Sequence, residues 1–74
     1  MVHLLTKVTI RNIESNMEMS YTIVSESEAD LASRKISSTS PIGKGLLGKK
    51  VGDIAEIHTP GGVINFEVIE ISAL

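Results

Sequence analysis

The sequence predicts a small α+β domain, in which a curled antiparallel sheet of four or five strands packs on one short helix. Most of the chain alternates apolar and polar residues with a period of two, which is typical of half-buried strands. One segment carries helix-capping residues at both ends, and turn-forming residues separate the alternating segments. A chain of 74 residues has room for one domain, to which we assign residues 1–74.

Two strands are predicted near the start of the chain. Segments 7–11 and 19–23 both alternate, and the polar residues Glu14, Ser15 and Asn16 between them favour a hairpin turn. We therefore expect these strands to pair antiparallel. The side chains expected to face the core are Val8, Ile10, Met19, Tyr21 and Ile23.

The middle of the chain gives a weaker pattern. Residues 25–33 are predicted to form a loop with at most one helical turn, although Ser25 and Glu28 have the spacing of a capping box. Residues 35–38 are predicted to form a short extended segment.

The helix is predicted between Ser40 and Gly48. Ser40 can cap its first turn, and Pro41 at the first helical position loses no hydrogen bond. Gly48 can adopt the left-handed conformation that ends a helix. Because Gly43 and Gly45 each weaken a helix by about 1 kcal/mol relative to Ala, this helix requires packing against the sheet. Its apolar side chains are Ile42, Leu46 and Leu47.

A second hairpin is predicted at the end of the chain. Segments 54–59 and 63–71 flank Pro60-Gly61-Gly62, and Pro followed by Gly predicts a type II turn. Ile64, Phe66 and Val68 share one face of the last segment, whereas Ile69 and Ile71 have the other parity. Either a β-bulge near Val68 restores the inward direction, or both faces are covered there.

Composition excludes several functional classes. The absence of Cys excludes disulfides, Cys-based zinc sites and thiol catalysis. The net charge of −2 disfavours electrostatically driven binding to nucleic acid. No apolar run approaches the ~20 residues of a membrane span, and the first residues lack the pattern of a signal peptide. We therefore expect a cytoplasmic protein.

Apparent motifs do not predict a catalytic, cofactor or metal site. GKGLLG at residues 43–48 matches the dinucleotide fingerprint, but it lies within the predicted helix instead of between a strand and a helix. We interpret its glycines as allowing the helix to lie close to the sheet and then to end. The acidic segment 26–30 lacks the Gly and Glu that an EF-hand loop requires next, and His3 and His58 have no third ligand at a metal-binding spacing. The basic cluster of Lys44, Lys49 and Lys50 is either a solvated helix end or a rim for an acidic protein partner.

Several segments together are more specific than any one of them. These are ISSTSPIGKGLLGKKVGD at residues 36–53, TPGG at 59–62, FEV at 66–68, and the shorter VTI at 8–10, YTIV at 21–24 and EAD at 28–30. Their order and spacing closely resemble the C-terminal domain of the bacterial transcription elongation factors GreA and GreB. The resemblance covers nearly the whole chain and implies an FKBP-like fold, which agrees with the predicted sheet and helix.

The resemblance also implies a function. In Gre factors, an N-terminal coiled coil enters the secondary channel of RNA polymerase and stimulates cleavage of backtracked RNA, while the C-terminal domain docks at the channel rim. Carried over onto this chain, the docking residues are Thr39, Ser40 and Pro41, with Ile42 behind them. Many relatives have Asp or Asn where this chain has Thr39, so that contact is expected to differ. No heptad-patterned helical hairpin precedes Lys7, so we expect the docking domain alone, with RNA polymerase as partner, without cofactor or enzymatic activity.

Two alternative functions stay open. One is a stand-alone regulator that competes with Gre-type factors for the channel rim. The other is an FKBP-like prolyl isomerase, whose pocket is lined by several aromatic rings. The only aromatic residues of this chain are Tyr21 and Phe66, and both are predicted to lie in the core.

Overall fold

The structure, a computed structural model, describes residues 1–73, so Leu74, the last residue of the predicted domain, lies outside it. Within these residues, five strands form one sheet in the order β3-β2-β1-β5-β4, and one α-helix packs against it. The predicted fold class is therefore confirmed. The elements are β1 (Thr6–Asn12), β2 (Glu18–Val24), β3 (Lys35–Ser37), α1 (Pro41–Leu46), β4 (Ile54–Thr59) and β5 (Gly62–Ala73).

The first hairpin has the predicted antiparallel pairing. Ile10 lies opposite Met19, and the turn is held by Asn12, whose side chain accepts hydrogen bonds from the backbone N–H groups of Glu14 and Ser15 at 2.9 and 3.2 Å. The alternation predicted the inward side chains correctly. Val8, Ile10 and Ile23 are buried, and Met19 and Tyr21 are half-buried and pack against the core.

β3 differs in direction from the predicted antiparallel sheet. It pairs parallel to β2, with Ile36 opposite Ile23, because the connection 25–34 returns the chain along the sheet before β3 begins. A strand of three residues carries no pattern that would reveal its direction. The connection forms two short 3-10 helices, Glu26–Glu28 and Leu31–Ser33, where one turn at most was predicted. The capping box suggested by the spacing does not form, since Ser25 makes no capping hydrogen bond.

The second hairpin is confirmed, but the predicted type of its turn is wrong. A type II turn requires a positive φ at Gly61, whereas the positive φ of 132° falls on Gly62. Thr59 pairs with Gly62, and its hydroxyl donates a hydrogen bond to the carbonyl oxygen of Gly62 at 2.8 Å. Gly62, and not Gly61, therefore adopts the positive φ that residues with a side chain avoid.

Of the two interpretations left open for β5, the structure shows the β-bulge. Thr9 lies opposite Glu70, but the next residue, Ile10, lies opposite Val68, so Ile69 is the extra residue in β5. The bulge changes the parity of the strand. As a consequence, Val68, which precedes the bulge, is buried, and Ile71, which follows it, packs against the same core.

The core lies between the inner face of the sheet and α1, and it includes an unexpected residue from the N-terminal segment. The backbone of Val2 donates a hydrogen bond to Lys49 at 2.8 Å and accepts one from Gly48 at 2.9 Å, which fastens the segment to the chain that follows α1. Val2 is only 1% exposed. The buried core residues are Val2, Val8, Ile10, Ile23, Ile36, Leu46, Ala55, Ile57, Phe66 and Val68.

We expect Val2→Ala to lower the free energy of unfolding by about 2 kcal/mol, because it removes buried methyl groups and leaves a cavity. Urea denaturation followed by circular dichroism measures this change. Leu4→Ala is the matched control in the same segment, since Leu4 is 48% exposed and its truncation should cost at most about 0.5 kcal/mol. Equal losses for the two variants would contradict the anchoring role of Val2.

Candidate functional site

The four residues predicted to contact a partner lie together where the chain leaves β3 and enters α1, since Thr39 and Ser40 precede the helix and Pro41 and Ile42 begin it. We call residues 38–42 the Ser-Pro loop. Thr39 and Pro41 are exposed, whereas Ser40 and Ile42 are half-buried. Ile42 packs against the core, which agrees with its predicted position behind the loop.

Ser40 holds the loop in place through hydrogen bonds inside the domain. Its hydroxyl accepts a hydrogen bond from the backbone N–H of Gly43 at 3.1 Å, which is the predicted helix cap. The same hydroxyl donates to the carbonyl oxygen of Ser37 at 2.6 Å, and the backbone N–H of Ser40 donates to that oxygen at 3.1 Å. Ser40 therefore acts mainly as a positioning residue, which holds the backbone of its neighbours.

Thr39 is held by the residue that ends β3. Its backbone N–H donates to the Ser37 hydroxyl at 3.0 Å, and the two hydroxyl oxygens lie 2.7 Å apart. The Ser37 side chain is buried while Thr39 is exposed. Thr39 thus presents its side chain from a fixed backbone.

Two glycines allow α1 to lie unusually close to its neighbours. A methyl group built on Gly43 would overlap the backbone carbonyl oxygen of Ser37, and one built on Gly45 would overlap the end of the Ile57 side chain in β4. Gly48, with φ of 82°, follows the end of α1 in the left-handed conformation. The structural interpretation of the motif at residues 43–48 is thereby supported at all three glycines.

Two grooves border the Ser-Pro loop, the first at Pro41 and the second at Ser40. The first contains a polar contact on the exposed face of β4, where Nε2 of His58 lies 3.1 Å from Oε1 of Glu56. Such an exposed pair contributes little to stability. The second groove is lined mainly by apolar atoms. The first is lined by Pro41, Lys44, Gly45, Glu56 and His58, and the second by Ala29, Asp30, Leu31, Lys35, Ile36, Ser37 and Ser40.

The second groove was not predicted from the sequence. Leu31 is the only large apolar residue of segment 25–33, and only the path of the connection brings it beside β3 and Ser40. Asp30, which the acidic pattern singled out, serves the local structure. Its carboxylate accepts hydrogen bonds from the backbone N–H of Ala32 and the hydroxyl of Ser33, both at 3.1 Å.

The remaining polar candidates do not come together. His3 is exposed and its Nδ1 lies 2.9 Å from the carbonyl oxygen of Leu4, far in the chain from His58. Among residues 1–73, no three His, Asp or Glu side chains are grouped so that they could hold a metal ion. In the same part of the chain, no helix combines the length and hydropathy needed to cross a membrane.

Comparison with known proteins identifies a family. The family model for "Transcription elongation factor, GreA/GreB, C-term" matches residues 1–73. The chain is 61% identical over 71 residues to GreA of Flavobacterium johnsoniae, covering 96% of this chain and 45% of that protein. It is 63% identical over 68 residues to GreA of Flavobacterium psychrophilum, covering 92% and 43% respectively. The chain thus spans about half the length of the curated relatives it matches.

Solved structures have the same fold. The chain superimposes on Gfh1 of Thermus aquaticus with a TM-score of 0.87 and 35% identity, over 97% of this chain and 48% of that one. It superimposes on the elongation factor GreA/GreB of Nitrosomonas europaea with a TM-score of 0.78 and 33% identity, over 96% and 59% respectively.

We expect Gly43→Ala to lower the free energy of unfolding by about 1–3 kcal/mol, although Ala is the better helix former, because its methyl group would push α1 away from Ser37. Urea denaturation measures the loss. Gly61→Ala is the control, since a methyl group there would meet only the Thr59 hydroxyl at ordinary contact distance. If Gly43→Ala were as stable as Gly61→Ala, the close packing of α1 would not constrain the loop.

Proposed function

Because the chain belongs to the GreA/GreB C-terminal domain family, we propose that it is the part of a transcription elongation factor that docks on RNA polymerase. Docking takes place at the rim of the secondary channel, and the Ser-Pro loop makes the contact. The chain acts in the cytoplasm as a binding domain and catalyses no reaction itself.

One observation carries this proposal: the exposed residues of the Ser-Pro loop sit on a backbone that is already fixed. Pro41 restricts its own φ, and Ser40 ties the loop both to β3 and to α1. A loop that is ordered before binding loses less conformational entropy when a partner covers it. Thr39 and Pro41 are therefore suited to a protein contact even though they are small.

The charges beside the loop are compatible with a partner that carries acidic groups. Lys44 lines the first groove beside Glu56, Lys35 lines the second beside Asp30, and both lysines are exposed. Exposed cations placed around a contact surface raise the rate of association with an acidic patch and help to orient it. This supports the interpretation of Lys44 as part of a rim for a protein partner.

The isomerase alternative receives no support from the position of the aromatic side chains. Phe66 is buried in the core and Tyr21 packs against it. Neither side chain lines either groove beside the Ser-Pro loop. The chain has no other Phe, Tyr or Trp from which a pocket of several aromatic rings, as an FKBP-like isomerase uses, could be built.

We expect Pro41→Gly to weaken binding to RNA polymerase core enzyme about five- to tenfold, because the loop regains freedom and loses the ring that faces the partner. Biolayer interferometry with the immobilised chain measures Kd. Pro60→Gly is the matched control, since Pro60 is the only other proline and lies in the exposed β4–β5 turn. Unchanged binding by Pro41→Gly would refute the assignment of the loop. Failure of the parent chain to bind would refute the proposed function.

We also expect the chain to compete with full-length GreA. An excess of the chain should progressively suppress GreA-stimulated cleavage of RNA in backtracked complexes, because both proteins occupy the same rim. Gel analysis of the cleaved transcripts measures this, and Pro41→Gly should require a correspondingly higher concentration. Such inhibition is also what a stand-alone regulator would produce. If the chain bound polymerase but left cleavage unchanged at concentrations far above its Kd, it would dock away from the rim.

A further inference from the structure

We propose that residues 1–5, which we call the N-terminal strap, position the docking site from a distance. The strap holds the C-terminal end of α1, and α1 carries the Ser-Pro loop at its other end. No residue of the strap lines either groove beside the loop. This inference rests on the proposed function, and it makes Val2 a positioning residue for docking that does not itself contact the partner.

The first argument is that the strap is fastened to the chain directly after α1. The backbone of Val2 forms two hydrogen bonds with this chain, one to Lys49 at 2.8 Å and one from Gly48 at 2.9 Å. The N–H of Lys49 in turn donates to the carbonyl oxygen of Leu46, the last residue of α1, at 3.0 Å. Val2 and Leu46 also belong to the same buried core. The strap therefore holds this end of the helix through its backbone and shares a core with its last side chain.

The second argument is that the strap has a fixed position on the sheet. The N–H of His3 donates to the hydroxyl of Thr6, and that hydroxyl donates to the carbonyl oxygen of His3. The N–H of Leu5 donates to the carbonyl oxygen of Ile23 in β2 at 2.7 Å. Leu5 has φ of 64°, a conformation that a bulky side chain adopts only where the surrounding structure enforces it. These contacts allow the strap to act as a fixed support for α1.

The third argument is that α1 is short enough to pass a disturbance from one end to the other. It has six residues and is about 9 Å long, so it depends on packing for its stability. Ser40 fixes its first turn to the end of β3, and the strap fixes its last turn. Pro41 and Ile42 belong both to the helix and to the proposed docking loop. Any shift of α1 therefore displaces docking residues directly.

The alternative is that Val2 only fills the core. Its truncation would then lower the stability of the whole domain, but the molecules that stay folded would bind as the parent does. A positioning role makes a different prediction. It lowers the fraction of folded molecules whose loop is arranged for docking, and the apparent Kd rises by the inverse of that fraction.

Binding to the RNA polymerase core enzyme of Flavobacterium johnsoniae tests the inference, at a temperature where circular dichroism shows every variant folded. We expect Val2→Ala to raise Kd about three- to fivefold, and Val2→Ile, which keeps the apolar contact, to stay within about twofold of the parent. Val8→Ala is the matched control. It removes the same methyl groups from a fully buried valine, but in β1, outside the strap and α1. Its Kd should equal that of the parent.

A milder variant covers the case in which Val2→Ala does not fold. Thr6→Val keeps the size of the side chain but removes both hydrogen bonds that the hydroxyl makes to His3. We expect it to raise Kd about threefold, because the strap is then held less firmly against β1.

Hydrogen exchange measured by NMR tests the coupling without the partner. The N–H of Lys44 donates to the carbonyl oxygen of Ser40 at 2.8 Å, and the N–H of Leu47 donates to that of Gly43 at 3.0 Å. We expect Val2→Ala to lower the protection of these two amides about fivefold more than Val8→Ala does, because α1 then opens locally.

The outcomes separate this inference from the proposed function. If Pro41→Gly weakens binding but Val2→Ala does not, the strap has no positioning role and docking through the loop stands. An equal rise in Kd for Val2→Ala and Val8→Ala, or an equal loss of protection in α1, would also overturn the inference, since a general loss of stability would account for it. Failure of the parent chain to bind is a different result, which would refute the proposed function and with it the docking role of the strap.

Discussion

The position of the Ser-Pro loop depends on one close contact, between the carbonyl end of β3 and the first turn of α1. The carbonyl oxygen of Ser37 accepts hydrogen bonds from both the backbone and the hydroxyl of Ser40, and Gly43 passes so near it that no side chain fits. This contact sets how deeply α1 sits against the sheet, and Leu46 consequently becomes fully buried. The helix has only six residues and would not be stable alone, so its packing and the geometry of the loop are maintained together.

Much of this arrangement could be predicted from local patterns, because the relevant signals are themselves local. Alternation predicted the inner faces of β1 and β2, and the shift of parity after Val68 indicated either a bulge, which is present, or a strand covered on both faces. Ser40, Pro41 and Gly48 marked the two ends of α1. The glycine motif also illustrates why context decides meaning. In a dinucleotide-binding turn such glycines allow a close approach to a phosphate, whereas here they allow an approach to the chain's own backbone.

The features that could not be predicted depend on contacts between segments distant in the sequence. The parallel direction of β3 follows from the path of the connection 25–34, which has no periodic pattern. The burial of Val2 arises only because residues 48 and 49 return to pair with it after α1. Leu31 lines a groove for the same reason, because folding brings β3 and Ser40 next to Leu31. In the turn at 60–62, either glycine could have supplied the positive φ, and the pairing of Thr59 with Gly62 selects the second.

The size of the exposed loop bears on how a partner would be held. Specific protein interfaces commonly bury more than about 1,000 Å² in total, and the binding energy is concentrated in a few well-packed side chains. Thr39 and Pro41 are small, and the Ser40 hydroxyl is already used within the domain. Rigid presentation lowers the entropic cost of docking, but it does not replace buried area. A stable complex therefore requires further surface beside the loop, and the two grooves that border the loop are lined by residues that the same fold already holds in place.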